Sequence, residues 1–402
     1  MWILAAPDGG GEIAALRASR RERLERAAQK SAIDDGSEAG IDKQKSLTAS
    51  QYARLKRIDR TSLSAADAVS YDVVMYGLRV TDAANKAFQY GTGGAGAPYV
   101  LSQLTGSYQS LPSFLATEHT IATSADADAY LRRLEGFARL MDQELEVAHH
   151  DVALGVVPPD FALAKTLTQM RLLRAPAPEK SPLTDSIARR AQELKIPGSH
   201  AREAAQIVGT KVYPALERQI ALITDMQKTA VHDAGVWRLP HGADYYTTSL
   251  VTQTTTARKP AEIHQLGLDL VAEHSARIDK LMKKQGMTQG TVGERLRAMF
   301  ADPRFLYPNT DEAKATLLAD LNKRVQGVRA KLPKYFGTLP KAGVEIRRAP
   351  KEVEAGAPGG YYNQASLDGK RPGVYWINLR DTHEKPKWVL PTLTYQIGRA
   401  HV

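Results

Sequence analysis

The stretch SADADAYLRRLEGFARLMDQELEVAHHDVALGVVPP, residues 124–159, decides the fold class. Its apolar residues recur in steps of three and four, at Leu131, Leu134, Ala138, Met141 and Leu145. This spacing places them on one face of an α-helix, which Ser124 can cap at its N-terminus. The pair Pro158-Pro159 then ends the helical stretch. We therefore predict a long helix with one buried face.

Most of the remaining chain has the same helical pattern. Capping pairs with the three-residue spacing of helix starts occur at Ser64/Asp67, Thr291/Glu294 and Asn309/Glu312. Pro260 occupies a position typical of a first helical turn, and Pro214 is expected to kink a long helix that starts near His200. These features predict a mainly α protein with a large multi-helix body.

Strand signals are confined to the C-terminal part of the chain. Tyr361-Tyr362 precedes the turn dipeptide Asp368-Gly369, and the segment Gly373–Leu379 then alternates and is rich in aromatic and β-branched residues. This pattern predicts one small β-hairpin at about residues 360–379. A further short extended stretch is expected at Val344–Arg347.

The domain organisation is predicted from the distribution of prolines and helices. Three prolines at positions 176, 178 and 182 indicate a joint or surface linker. We expect an N-terminal helical segment at 1–44, an N-terminal helical half at 45–175, the Pro-rich joint at 176–186 and a C-terminal helical half at 187–395.

The composition excludes several classes of protein. The 402 residues include 43% hydrophobic residues and no cysteine, which excludes overall disorder, a disulfide framework and a Cys nucleophile. No run approaches the roughly 18 apolar residues of a spanning helix, so no transmembrane segment is expected.

The net charge of +10 comes from basic residues spread along the chain, so no specific nucleic-acid partner is expected. The short apolar run Trp2–Ala6 is not a usable signal peptide, so the sequence does not predict the localisation. It does not predict the oligomeric state either.

No strong catalytic motif is present, because the chain lacks HExxH, GxSxG and a Walker loop. Glycines at 91, 93, 94 and 96 form a loop without the Lys-Ser/Thr of a phosphate cradle, which favours a connection between helices. His264 and His274 lie on one predicted helix about 15 Å apart, so they cannot bind one metal ion together. His264 either faces a cleft or satisfies a backbone carbonyl inside the body. No catalytic or metal-ligating residue is predicted.

Several segments, by their order and spacing, resemble one bacterial family. They are Pro98–Leu101, Leu111-Pro112, Tyr130–Leu134, Gly155–Pro159, Gly235–Pro240, Tyr245-Tyr246, Pro260–Leu268, Gly360–Tyr362 and Arg371–Tyr375. From about residue 45 to Tyr395 the chain resembles the bacterial domain-of-unknown-function family 885. The resemblance implies a body similar to helical zinc metallopeptidases of the carboxypeptidase Taq and thimet-oligopeptidase type, which are zincin-like hydrolases. Zinc is thus the cofactor expected of a full-length member, and members are often exported or lipid-anchored.

The metal motif of that family, His-Glu-Ala-x-Pro-Gly-His-His, follows a Leu-Thr-Tyr-like lead-in. Here Pro391–Tyr395 resembles the lead-in, but residues 396–402, QIGRAHV, stand where the motif would begin. These seven residues match the translation of a common short-read sequencing adapter. We therefore expect an artefact tail at 396–402, a chain truncated just before the motif, and no cofactor in the chain as given.

The resemblance implies a fragment of a zinc-dependent, peptidase-like hydrolase that acts on peptides and is inactive without its zinc helix. The candidate substrate-binding residues are Tyr361, Tyr362, Tyr375 and Asn378 of the hairpin region, which would pair with an extended peptide, and Tyr245 and His264 of a cleft. The aromatic hairpin residues are also typical of simple core and edge packing. The alternative function is a non-enzymatic helical protein that binds peptides or polyanions.

Overall fold

A computed structural model describes residues 30–337, 339–340, 342–351, 354, 358–365, 369 and 371–400, with side chains as far as Tyr395. The chain folds as two compact units, divided between Lys259 and Pro260. The expected N-terminal segment 1–44 and the expected tail 396–402 lie partly outside the described residues. Segment 176–186 contains a 3₁₀ turn, Pro178–Lys180, and its role as a joint stays a prediction.

The first unit is helical. Its helices are α1 (Glu38–Leu55), α2 (Ala65–Ala87), α3 (Ser107–Thr117), α4 (Ser124–Ala153), α5 (Asp160–Arg174), α6 (Pro182–Glu193), α7 (His200–Ile207), α8 (Tyr213–Gln227) and α9 (Gly242–Thr254). Helix α4 is the long helix predicted from its apolar spacing, and Leu134 and Met141 on its apolar face are fully buried. Helices α7 and α8 pack against α4, and α5 packs against α8. Burial of the predicted face therefore builds the main core.

The starts of two helices differ from the prediction by one residue. Thr123, not Ser124, caps α4, and it forms a reciprocal capping box with Asp126. The predicted pairs at Ser64 and Thr291 are confirmed, since both side chains accept the backbone N–H three residues later. At the third pair, the side chain of Thr310 caps the helix in place of Asn309.

Pro214 follows a local change of helix geometry. Between α7 and α8 the backbone forms a π-helical turn at Val208–Val212, and Pro214 is the second residue of α8. Proline cannot donate the backbone hydrogen bond that a helix interior requires, so the wider turn accommodates it.

The second unit combines helices with a small sheet. Its elements are α10 (Pro260–Lys284), α11 (Val292–Ala301), α12 (Asp311–Arg329), β1 (Val344–Arg348), β2 (Gly360–Asn363), β3 (Gly373–Ile377) and α13 (Leu390–Ala400). The predicted hairpin is confirmed, because β2 pairs antiparallel with β3. The expected extended stretch at Val344–Arg347 is strand β1, which pairs parallel to β3 and makes the sheet three-stranded, in the order β1-β3-β2. A core of α12, sheet and α13 side chains, including Leu321, Ile377 and Leu390, holds these elements together.

Helix α10 has apolar side chains that remain exposed. Leu266, Leu270 and Val271 retain 41%, 41% and 65% of their accessible surface, and Met282 near the C-terminal end of the helix is buried. The predicted helix with Pro260 in its first turn is confirmed, but the described residues do not cover its apolar face. None of the helices in the described ranges is long and apolar enough to cross a membrane.

Candidate functional site

Four of the six predicted substrate-binding residues lie on the sheet or directly after it. Tyr361 and Tyr362 of β2 stand opposite Trp376 and Tyr375 of β3, respectively. The Tyr361 and Trp376 rings stack with their centroids 6.3 Å apart and their planes at 26°. Because side chains alternate along a strand, Tyr362 and Tyr375 share the other face, which contacts the core of the unit.

Tyr375 is buried beneath strand β2, and Gly360 leaves the space for its ring. A Cβ atom at Gly360 would lie 2.7 Å from Cε2 of Tyr375. The Tyr375 hydroxyl is buried without a hydrogen-bond partner among the described residues, and burial raises its pKa. A buried unpaired hydroxyl is energetically costly, so a polar group that reached it would be stabilised.

Asn378 organises the backbone directly after β3. Its amide donates a hydrogen bond to the Glu354 carbonyl oxygen at 2.7 Å, and its Oδ1 accepts the Arg380 N–H at 3.0 Å. The buried Glu354 carboxylate accepts hydrogen bonds from Arg348 Nε at 2.7 Å and from the Leu379 N–H at 3.2 Å. These bonds give Asn378 a positioning role in the fold, and its contact with substrate stays a prediction.

The two edges of the sheet are different. At β1, the Asn322 side chain of α12 accepts the Ile346 N–H and donates to the Ile346 carbonyl, both at 2.9 Å. This amide takes the place of a neighbouring strand. Among the described residues, the last strand at the other edge is β2. Since the Asn378 N–H donates to the Gly359 carbonyl, ladder alternation directs the backbone groups of Gly360 and Tyr362 to the side opposite β3.

Tyr245 lies in an aromatic cluster of the first unit. It is 3% exposed on α9, and its ring centroid lies 4.9 Å from that of Phe88 and 5.8 Å from that of Tyr90. Its hydroxyl has no hydrogen-bond partner in the part of the chain that the structure describes, and burial raises its pKa. The residue is a core aromatic with an unpaired hydroxyl, and its place in a cleft stays a prediction.

The glycine-rich loop beside this cluster uses its amides internally. The Gly91 N–H donates to the buried Asp151 carboxylate at 2.9 Å, and the Gly94 N–H donates to Asn85 Oδ1 at 2.8 Å. Both glycines have positive φ angles, of 72° and 73°. The loop therefore connects α2 and α3, and side chains accept the hydrogen bonds of these two amides. A connection between helices was expected from the absence of a phosphate-binding Lys-Ser/Thr.

His264 belongs to the second unit and is exposed on α10. Its side chain makes no hydrogen bond or ion pair to any described residue, so it does not satisfy a backbone carbonyl of the described body. Within the same residues, no group of three or more His, Asp or Glu side chains could hold a metal ion. The described side chains therefore do not fit the zinc that the family resemblance implies.

A groove between α12 and α13 was not found by sequence reasoning. Its volume is about 540 Å³, and its basic lining residues are Lys323, Arg324, Lys331 and Lys387. The closeness of Lys323 and Arg324 is visible in the sequence, but only the packing of α13 beside α12 turns their face into a groove.

Two tyrosines stand at the groove. The Tyr307 hydroxyl donates to Asp320 Oδ2 at 2.9 Å, and burial together with this carboxylate raises the pKa of Tyr307 to about 12. Arg324 Nη1 donates to the Tyr395 hydroxyl at 3.3 Å. The groove therefore combines cations, hydroxyl groups and apolar walls.

Residues 20–398 match the family described as "Bacterial protein of unknown function (DUF885)". The chain belongs to the DUF885 family. The match confirms the family resemblance inferred from the ordered segments and includes part of the expected N-terminal segment.

A solved structure is similar to this DUF885 chain over almost its whole length. It is the crystal structure of the putative lipoprotein from Colwellia psychrerythraea, which is 27% identical in sequence and superposes with a TM-score of 0.84. The similarity covers 96% of this chain and 70% of the Colwellia chain. No protein with a curated description matches the sequence.

Proposed function

We propose that this DUF885 chain is the N-terminal, substrate-facing part of a helical, zinc-dependent, peptidase-like hydrolase that acts on peptides. The chain as given lacks the zinc-binding helix and is inactive in hydrolysis. Its own contribution is to bind an extended peptide.

The position of β2 at the edge of the sheet carries this proposal. An extended peptide can add to an edge strand through main-chain hydrogen bonds, with side-chain pockets providing specificity. Asn322 already occupies the β1 edge, which leaves β2 as the other outer strand of the described sheet. The stacked pair Tyr361 and Trp376 would flank the added strand on one face.

Two observations support the proposal that the chain is part of a longer protein. The apolar side of α10 is exposed at Leu266, Leu270 and Val271. In a soluble protein, the apolar side of a long amphipathic helix is normally buried. The similar Colwellia chain extends beyond the region of similarity. A further helix packed on α10 would explain the exposed side chains.

Peptide binding is tested with a ten-residue, fluorescently labelled peptide of alternating valine and serine, measured by fluorescence anisotropy. Two matched peptides carry N-methyl groups at alternate residues, one at the odd positions and one at the even positions. In an added strand only alternate N–H groups face the sheet. We therefore expect one N-methylated peptide to bind like the parent and the other to lose binding.

Equal binding of the two N-methylated peptides would contradict strand addition at β2. Binding is the appropriate readout, because the described residues contain no metal group that would support hydrolysis.

The alternative function, a non-enzymatic protein that binds peptides or polyanions, is supported by the basic groove of the second unit. Continuation of the natural reading frame into a His-Glu…His-His helix would distinguish the enzyme from this alternative.

A further inference from the structure

The groove between α12 and α13 has the size of a small-molecule site. Its volume of about 540 Å³ is within the range of about 300–1,000 Å³ typical of ligand pockets. Leu321, Val328, Leu390 and Pro391 provide apolar surface in its lining. A ligand with an apolar body would therefore be desolvated in part when it enters.

The described lining of the groove is net positive, because it holds four basic side chains and one carboxylate. Lys323, Arg324 and Lys331 make no ion pair with any carboxylate among the described residues, although other cations of the same unit, such as Lys283 and Arg295, are paired. The acidic side chain in the described lining is Asp320, which already accepts the Tyr307 hydroxyl. An anionic group would thus meet cations that have no ion-pair partner among the described residues.

Gly327 leaves the groove open at the centre of its α12 wall. Glycine in a helix is less favourable than alanine, so a helical glycine needs a reason in packing or function. A Cβ atom at Gly327 would meet no atom within 4 Å, so close packing within the described chain does not require glycine. What glycine gives at this position is free space between Lys323 and Lys331.

We propose that this groove binds a small amphiphilic anion, with a carboxylate, sulfate or phosphate group at one end and an apolar body. Lys323, Arg324 and Lys331 supply the positive charge that attracts the anionic group, and the apolar body lies against Val328 and Leu390. The groove is a different surface from the edge of the sheet, so its ligand can be tested separately from the peptidase-like function.

The test is isothermal titration calorimetry of the full chain with octanoate. We expect one site per chain, and weaker binding as salt is raised because the contact is charged. Octanol has a similar apolar body without the charge, and acetate has the charge without the body, so each should bind at least about tenfold more weakly than octanoate. Equal affinity for octanoate and octanol would overturn the proposal.

Four variants locate the binding site. Gly327→Leu fills the groove and also favours the helix, so its loss of octanoate binding would not arise from unfolding. Gly77→Leu on α2 is the matched control, since Gly77 is a helical glycine that also has no neighbour within 4 Å. Lys331→Gln should weaken octanoate about fivefold or more, while Lys280→Gln on α10 should not.

Binding that survives Gly327→Leu would place octanoate elsewhere, such as on the apolar side of α10, and would refute the proposal. A groove that bound a ten-residue glutamate-rich peptide but not octanoate would also overturn it, and would reassign the groove to an acidic peptide. Failure of these experiments leaves the strand-addition test unaffected, because the two tests use different ligands and different surfaces.

Discussion

At the residue scale, Arg133 and His119 show how the first unit tolerates buried polar groups. Arg133 is 1% exposed, and its guanidinium donates to His119 Nδ1 at 2.8 Å and to the Ala32 carbonyl at 3.2 Å. The other ring nitrogen of His119 lies 3.0 Å from the Asp126 carbonyl oxygen. An imidazole that accepts at Nδ1 and donates at Nε2 is neutral. Burial, with the charges of Arg133 and Arg190, lowers the pKa of His119 to about 4.

This pKa predicts a pH-dependent stability. Unfolded His119 binds a proton below about pH 6.5, whereas folded His119 stays neutral until about pH 4. Between these values the unfolded state holds the extra proton, so stability falls as the pH falls. The loss should reach the order of 3 kcal/mol by pH 4, and urea unfolding between pH 7.5 and 4.5 measures most of it.

His119→Gln is the control for this prediction. A glutamine can accept from Arg133 and donate to the Asp126 carbonyl, but it does not titrate. We expect the variant to lose the part of the pH dependence that belongs to His119. An unchanged pH dependence in the variant would show that other groups cause it.

At the scale of the element, helix starts were predictable to within one residue. Ser64 and Thr291 were identified correctly, whereas Thr123 and Thr310 cap helices that were assigned to a neighbouring residue. Either of two adjacent polar residues can cap a helix. The residue that caps is the one with an extended backbone where the helix begins, as at Thr123, whose φ is −134°. That backbone choice depends on the approach of the preceding chain, which local sequence does not specify.

The corrected cap of α4 gives a paired mutational test. Thr123→Ala should cost about 1 kcal/mol of unfolding free energy, because it leaves the Asp126 N–H without its capping oxygen. Ser124→Ala is the matched control and should change the stability by less than about 0.5 kcal/mol, since Ser124 lies inside the helix. Chemical denaturation of both variants is the measurement, and a larger effect at Ser124 would contradict the assignment.

The sheet shows what local patterns can and cannot predict. The hairpin of β2 and β3 follows from alternation and a turn dipeptide within about 20 residues of sequence, so it was predictable. The parallel pairing of Val344 with Gly373 and the contact of Asn322 with Ile346 join distant segments, and no periodicity specifies such partners. The groove of α12 and α13 was missed for the same reason.

At the scale of the whole molecule, the composition and helical periodicity were sufficient for the fold class, and the ordered segments were sufficient for the family. The candidate site was harder to predict from the sequence. The sequence identified Tyr375 and Tyr245 as notable aromatics, but their burial and unpaired hydroxyls depend on the packing around them.

The exposed side of α10 predicts binding of an anilinonaphthalene dye. Replacing Leu270 and Val271 with lysine should reduce dye fluorescence while changing the unfolding free energy by less than about 0.5 kcal/mol, because neither residue is in the core. The matched control replaces Val69 and Val73 of α2 with lysine, which are 62% and 58% exposed. An equal loss of fluorescence in both pairs would show that α10 has no special apolar surface.

Long-read sequencing of the source locus tests the proposal that this chain is the substrate-facing part of a metallopeptidase-like hydrolase. The proposal predicts that the reading frame continues after Tyr395 into a helix with a His-Glu-Ala-x-Pro-Gly-His-His-like motif. A natural stop codon directly after Val402 would contradict it and would leave a binding role as the remaining function.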